Sequence, residues 1–283
     1  MSNSNAIRHL ATLTALAVAP VATIAGAPAA SAASNATPNY EIKLDLGPTA
    51  LSGGAPTEAV QAAFGITGGG SQLSYEYVDT DALDLNNEGW SVRLRNQQGD
   101  PLELTYKKRF PVTGGDINAA LDTANAAGFD SSDTNYGAQV DWGYSKQTLS
   151  FSNDKDPGTN VDGIGMPSNS DAVSIAVSKV PGKLADWKSK GWGTNTLKAS
   201  RVHGAVTATE WKGTFEGSKS AIEVLPIKAS GGQPAQTVVE LSFKADDYDT
   251  AAQLRTDAMA IADAHGWLLH TDILKTNLVL TRY

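Results

Sequence analysis

The chain of 283 residues contains no cysteine, which excludes disulfides, a thiol nucleophile and any Cys-ligated zinc or iron–sulfur centre. Basic residues are in deficit: 22 Lys and Arg stand against 30 Asp and Glu, giving a formal net charge of −8. A sequence-independent nucleic-acid binder displaces counterions with Lys and Arg, so that class is excluded and no nucleic-acid partner is expected. Histidine is scarce. His203, His265 and His270 form neither an HExxH motif nor an i, i+4 pair. Gly68-Gly-Gly70 lacks the Gly-Lys-Ser/Thr ending of a phosphate-binding loop, and no serine has a Gly-x-Ser-x-Gly setting. No fixed-period repeat and no long linker divides the chain. The 41% hydrophobic content excludes wholesale disorder.

What is present begins with a leader. Arg8 is followed by a weakly apolar stretch from Leu10 to Ala25 and by the small-x-small pattern Ala30-Ser31-Ala32. Pro20 and the many Ala and Thr make a poor permanent span, which needs about 20 apolar residues. Residues 1–32 therefore read as a signal peptide cleaved after Ala32, residues 33–38 as a linker and residues 39–283 as one domain. The expected location is secreted or extracellular, with no membrane partner after leader removal.

Strand patterns dominate the domain. Tyr40–Leu46, Leu73–Asp79, Gly89–Arg95, Leu102–Arg109, Gly137–Asn153, Val202–Phe215, Ser220–Ile227, Thr237–Phe243 and Leu274–Tyr283 read as strands. Helices are expected over Pro56–Phe64, Ile117–Ala127, Pro181–Lys190 and Asp249–Ala264, the last ended by Gly266. Residues 153–170 read as loop. The expected architecture is α+β, an antiparallel barrel with peripheral helices.

Several strands carry charge at every second position, the period set by the pleat. Glu41, Lys43 and Asp45 share one face, as do Arg93 and Arg95, Glu103 and Lys107, and Glu240 and Lys244. The opposite faces are apolar: Ile42 and Leu44, Val92 and Leu94, Leu104 and Tyr106, Leu241 and Phe243. Either each charged face is solvated, or the charged faces converge inside a barrel while the apolar faces pack outward on helices. The peripheral helices, whose apolar stripes need a surface, favour the second reading. Glu223 is then either an interior acid or a solvated strand residue.

The run Tyr77-Val-Asp79-Thr80, a Leu-rich turn, and Ser91-Val-Arg93-Leu-Arg95 resembles the CYTH superfamily, the triphosphate tunnel metalloenzymes. Glu103-Leu-Thr-Tyr-Lys107 resembles that family's basic strand, and Glu240-Leu-Ser-Phe-Lys244 with Leu274-Lys275-Thr276 its C-terminal part. The similarity spans most of residues 39–283 and is weakest over about residues 130–200. It implies a closed antiparallel tunnel of about eight strands. It also implies Lys43, Arg93, Arg95, Lys107 and Lys244 as phosphate-binding residues and Glu41 and Glu240 as ligands of Mg²⁺ or Mn²⁺. The partner it implies is a polyphosphorylated small molecule or polyphosphate.

The departures bear on catalysis. The family's first strand reads Glu-x-Glu-x-Lys, where this chain has Asn39-x-Glu41-x-Lys43. The late acidic strand often has two alternating carboxylates, where Glu240 stands between Val238 and Ser242. Hard-cation affinity tracks ligand charge, so the metal half is expected to be weakened. Three functions stay open: a metal-dependent triphosphatase, a binding protein retaining only the anion site, and a non-catalytic structural or surface barrel.

Overall fold

The computed structural model describes Met1 and residues 33–283, and the leader read at residues 1–32 otherwise lies outside the described residues. In chain order the elements are β1 (Asn39–Asp45), β2 (Leu51–Ser52), β3 (Ala55–Pro56), α1 (Glu58–Ala63), β4 (Ser71–Asp79), α2 (Asp84–Asn87) and β5 (Trp90–Gln97). They continue with β6 (Glu103–Val112), α3 (Ile117–Ala126), β7 (Gly137–Trp142), β8 (Gln147–Lys155), α4 (Asn169–Ser178), α5 (Gly182–Ala185) and α6 (Trp192–Lys198). Last come β9 (Arg201–Phe215), β10 (Ser218–Ile227), β11 (Gln236–Ala245), α7 (Tyr248–Ala264) and α8 (Lys275–Arg282).

Nine strands close a barrel in the order β1-β11-β10-β9-β4-β5-β6-β8-β7 and back to β1. Every neighbouring pair is antiparallel except β7 with β1. The expected barrel with peripheral helices forms, with nine strands where about eight were expected and one parallel pair in an otherwise antiparallel ring. The run read as one strand over residues 137–153 is a hairpin that turns between Trp142 and Gln147. That adds a strand, and a ring of odd number cannot alternate direction throughout, so one closing pair must be parallel.

Two further expectations are overturned. Residues 274–283 form helix α8, not a strand. The closed barrel leaves no edge to extend, and Thr276, Val279 and Leu280 bury one helical face. The helix expected over 181–190 is only the single turn α5, and Gly191, at φ +78°, begins α6 instead. Helix α7 forms over the expected segment, but it is capped by Asp247 rather than by Asp249 or Thr250. The Asp247 side chain accepts from the Thr250 amide at 2.9 Å, and Leu254, Ala258 and Ala262 are buried.

The apolar strand faces look outward. Ile42, Leu44, Val92, Leu94, Leu104, Tyr106, Leu149, Phe151, Ile222, Leu241 and Phe243 join one core with Val60 of α1, Leu121 of α3, Ala172 of α4 and Leu254 of α7. Burying each large aliphatic side chain contributes about 1.5–3 kcal/mol, so this outer layer holds the barrel closed. A second, smaller cluster has the opposite strand parity. Leu73, Tyr75, Tyr77, Leu225, Ile227 and Val238 pack with Val279 and Leu280. Helix α8 therefore lies against the inner faces of β4, β9 and β10.

Candidate functional site

The inner faces carry the charge, divided between two walls. On the first wall Ser91, Arg93 and Arg95 of β5 pair with Lys107, Thr105 and Glu103 of β6. Lys107 and Arg109 then face Ser152 and Ser150 of β8, and Asp141 of β7 stands beside Glu41 of β1. Lys43 Nζ contacts Glu41 Oε2 at 2.9 Å and Asp141 Oδ1 at 2.8 Å, and Lys107 Nζ lies 4.0 Å from Asp141 Oδ2. Arg109 donates to Ser91 Oγ at 2.9 Å and to Thr276 Oγ1 at 3.4 Å. Among the described residues the Nε of Arg93 is buried without a partner. Lys43, Lys107 and Asp141 side chains keep 29%, 18% and 17% exposure, so they are enclosed yet reachable by solvent.

The electrostatics of this wall leave it short of negative charge. Burial would depress Lys43, but Asp141, Glu41 and Glu240 outweigh it and raise its pKa. The Asp141 carboxyl, although buried, is held well below the usual range by Lys43 and Lys107. Lys107 is not compensated: burial, with Lys43 and Arg109 adding to it against Asp141, pulls it down to about 8. Burial likewise lowers Arg109, with Asp141 opposing and Arg93 adding to the shift. Among the described residues, Asp141 is shared by Lys43 and Lys107, Lys43 is also met by Glu41, and neither Arg93 nor Arg109 has a carboxylate partner within ion-pair distance.

The second wall is acidic. Asp45 of β1 stands directly opposite Glu240 of β11, Glu240 opposite Glu223 of β10, and Glu223 opposite Glu210 of β9. Lys275, at the start of α8, places Nζ 2.8 Å from Glu223 Oε1 and 2.8 Å from Glu240 Oε1. The Tyr75 hydroxyl donates to the same Glu223 oxygen at 3.2 Å. Asp45 Oδ2 accepts from the Ile273 amide at 2.8 Å, while Oδ1 is buried without a partner among the described residues. Burial, with Glu240 adding to it, pushes Asp45 up to about 7.

Four of the five residues expected to bind phosphate, Lys43, Arg93, Arg95 and Lys107, lie on the inner face. Their settings differ. Arg95 is drawn toward the acidic wall, contacting Glu103 at 3.3 Å, Glu210 at 3.7 Å and Gln97 Oε1 at 2.6 Å. Lys244 has the right parity, opposite Glu41, but is exposed near the end of β11 rather than enclosed. Asn39 is exposed at the start of β1.

The two expected metal ligands are not brought together. Glu41 faces Lys244 whereas Glu240 faces Asp45, an offset of four residues along β1. At about 3.3 Å per residue that is roughly 13 Å, too far for one hard cation whose oxygens sit about 2.0–2.6 Å away. Glu41 is engaged by Lys43 and Glu240 by Lys275. Among the described residues no group of three or more His, Asp or Glu is placed to hold a metal ion. Mg²⁺ or Mn²⁺ held by Glu41 and Glu240 together does not fit these positions.

Sequence reading missed Arg109, Asp141 and Lys275. Arg109 is two residues beyond Lys107, so period-two counting carried one step further finds it. Asp141 was hidden in a run read as a single strand, and Lys275 in a helix read as a strand.

No known family model matches the chain, and no curated protein matches it in sequence. Solved structures are similar in shape. A candidate adenylyl cyclase from Hippeastrum, described as having a dominant triphosphatase activity, is 14% identical at a TM-score of 0.47, covering 84% of this chain and 93% of that one. A candidate adenylate cyclase from Bacillus halodurans is 10% identical at 0.43, covering 85% and 96%. Another from Vibrio parahaemolyticus is 12% identical at 0.41, covering 86% and 98%. At such values the likeness is one of chain path, and the site has to be judged on its own residues.

Proposed function

We propose that the protein is an exported tunnel protein that binds a tri- or polyphosphate through Lys43, Arg93, Lys107 and Arg109. The observation that supports this most is the charge imbalance of the first wall. Lys107 and Arg109 lie inside the barrel with depressed pKa values. Arg93, where burial is outweighed by Tyr77, Glu103 and Glu223 and the pKa is raised, has no carboxylate within ion-pair distance and an Nε without a partner among the described residues. A polyanion supplies the missing charge, and Arg offers a planar fork matching phosphate oxygens. Arg95 and Lys244 contribute less, the first because Glu103 and Glu210 engage it, the second because solvent screens it. Export is supported by the charged, apolar and small-residue order of residues 8–32.

Chemically, these residues do three things. They neutralise phosphate oxygens, hold them in one orientation, and partly exclude water. Arg109, anchored to Ser91 and Thr276, is pre-positioned for this. Binding rather than hydrolysis is the favoured reading, because Glu41 and Glu240 do not converge. The test is calorimetric titration of tripolyphosphate into the protein in EDTA. Binding that depends on Arg93 is the expected outcome. Absence of binding in EDTA and in Mg²⁺ alike overturns the reading and favours a structural barrel. Phosphate release requiring Mg²⁺ or Mn²⁺ would make it an enzyme.

A further inference from the structure

The acidic wall presents four carboxyl groups in one row across adjacent strands, and only part of it is matched from within the barrel strands. Glu210 is met by Lys212 at 3.0 Å and by Arg95 at 3.7 Å. Glu223 and Glu240 are met from outside the sheet, by the single ammonium of Lys275 at 2.8 Å from an oxygen of each. Two carboxylates whose oxygens lie equally close to one point define a position for a cation. Here that point is filled by a covalently attached one.

The arrangement is built rather than incidental. The stem of α8 is fixed by Val279 and Leu280 against Leu225, Ile227 and Val238. Its first turn is fixed on the other side by Thr276, which accepts from Arg109 Nη2 and donates to the Tyr77 hydroxyl at 3.2 Å. The backbone just before it is held by the Ile273 amide on Asp45. The side chains of Lys275, Glu223 and Glu240 retain 18%, 14% and 10% exposure, so the pair is enclosed but not sealed.

We propose that Lys275 takes the place of a divalent cation on Glu223 and Glu240, so that the tunnel works as a metal-free anion site. The consequence for ligand class is specific: the bound species is the free polyanion and not its magnesium complex. Helix α8 also links the two walls, because the residue after Lys275 touches Arg109. The cation-holding half and the anion-holding half are thereby set by one turn of helix.

The metal arm of the test does not depend on whether the protein binds polyphosphate. Mn²⁺ binding is measured by electron paramagnetic resonance on the wild type, Glu240→Gln, Lys275→Met, and Lys275→Met combined with Glu240→Gln. The wild type is expected to show no tunnel site at millimolar Mn²⁺. Lys275→Met is expected to gain one at least tenfold tighter, lost again in the double variant. Wild-type binding abolished by Glu240→Gln, or no gain in a folded Lys275→Met, overturns the proposal. Should Lys275→Met fail to fold, amine acylation of the wild type read by mass spectrometry decides. Lys275 is expected to stay unmodified while Lys107 reacts, with and without Mn²⁺. Acylation of Lys275 that rises with Mn²⁺ would show the metal displacing it and sink the idea. Separately, wild-type tripolyphosphate affinity in EDTA is expected to match that in Mg²⁺ after correction for free ligand. Tight binding only with Mg²⁺ overturns the metal-free reading while leaving anion binding intact, and no binding at all overturns the function but not the Lys275 assignment.

Discussion

The wall of β5, β6 and β7 and the wall of β9, β10, β11 and β1 obey the same alternation, yet they resolve their charge in opposite ways. On the first, Arg93 and Arg109 are left without carboxylate partners and Lys107 is only loosely tied to Asp141. On the second, an ammonium from α8 satisfies two of the four acids. Period-two charge therefore states that a face is polar and interior, but not whether it is free to bind. Availability is decided by what reaches in from elsewhere in the chain.

The sharpest way to break this contrast is Asp141→Asn. It strips Lys43 and Lys107 of their shared carboxylate, and removing one partner of a buried pair costs about 3–5 kcal/mol. Chemical denaturation is expected to show a loss of that order, partly recovered by added tripolyphosphate. A neutral outcome would mean that the first wall is solvated rather than enclosed.

Arg93→Ala should weaken tripolyphosphate binding by about one to two decades, since a charge-assisted bond contributes about 1.5–3 kcal/mol. Arg95→Ala should cost clearly less. Equal losses by calorimetry would erase the distinction between free and engaged guanidiniums.

On the acidic wall, Asp45 holds its proton to about pH 7, against about 4 for an ordinary aspartate. Between these values the native state binds more protons than the unfolded state, so stability falls as pH rises from about 4 to about 7. The slope approaches about 1.4 kcal/mol per pH unit at most. Asp45→Asn should remove that contribution, so its stability relative to the wild type rises over the same window. Parallel stability profiles would show that Asp45 is not the group responsible.

Lys107, with a pKa of about 8, loses its charge on the first wall in mildly alkaline solution. Anion affinity should decline as pH rises past about 8, by up to about tenfold per unit, and Lys107→Arg should flatten the profile. The smallest effect is expected from Lys244→Ala. An exposed cation contributes about 0–1 kcal/mol, and calorimetry at high and low salt should show that little and mostly at low salt.

Much of the barrel was legible because two signals agreed. Ile42, Leu44, Val92 and Leu94 needed helices to cover them, and the helices carried matching stripes. The direction of the charged faces followed from that. The hairpin of β7 and β8 was not legible, because the turn Gly143-Tyr-Ser-Lys146 sits in a run of aromatic and β-branched residues without a Pro or Asn-Gly signal. Nor was α8, since Leu-Val-Leu in a short segment fits either a strand or a helix, and only the closed barrel decides between them. The site suffered accordingly. Single residues on well-read strands were placed, but the partners that neutralise them came from the two misread elements.

The parallel seam between β7 and β1 has a bearing on how the chain reaches this state. β1 is the first barrel strand in sequence, and its two neighbours are β7, from the middle of the chain, and β11, near its end. No hairpin delivers it to either. The ring must wait for contacts of very large sequence separation, the kind that slows folding most and leaves sticky strand rims exposed meanwhile. A refolding experiment should show secondary structure well before the tryptophan signal of Trp142 and Trp267 settles. Simultaneous recovery of both would mean that the seam forms early. The latch of the ring is made only after the last strand, β11, has arrived.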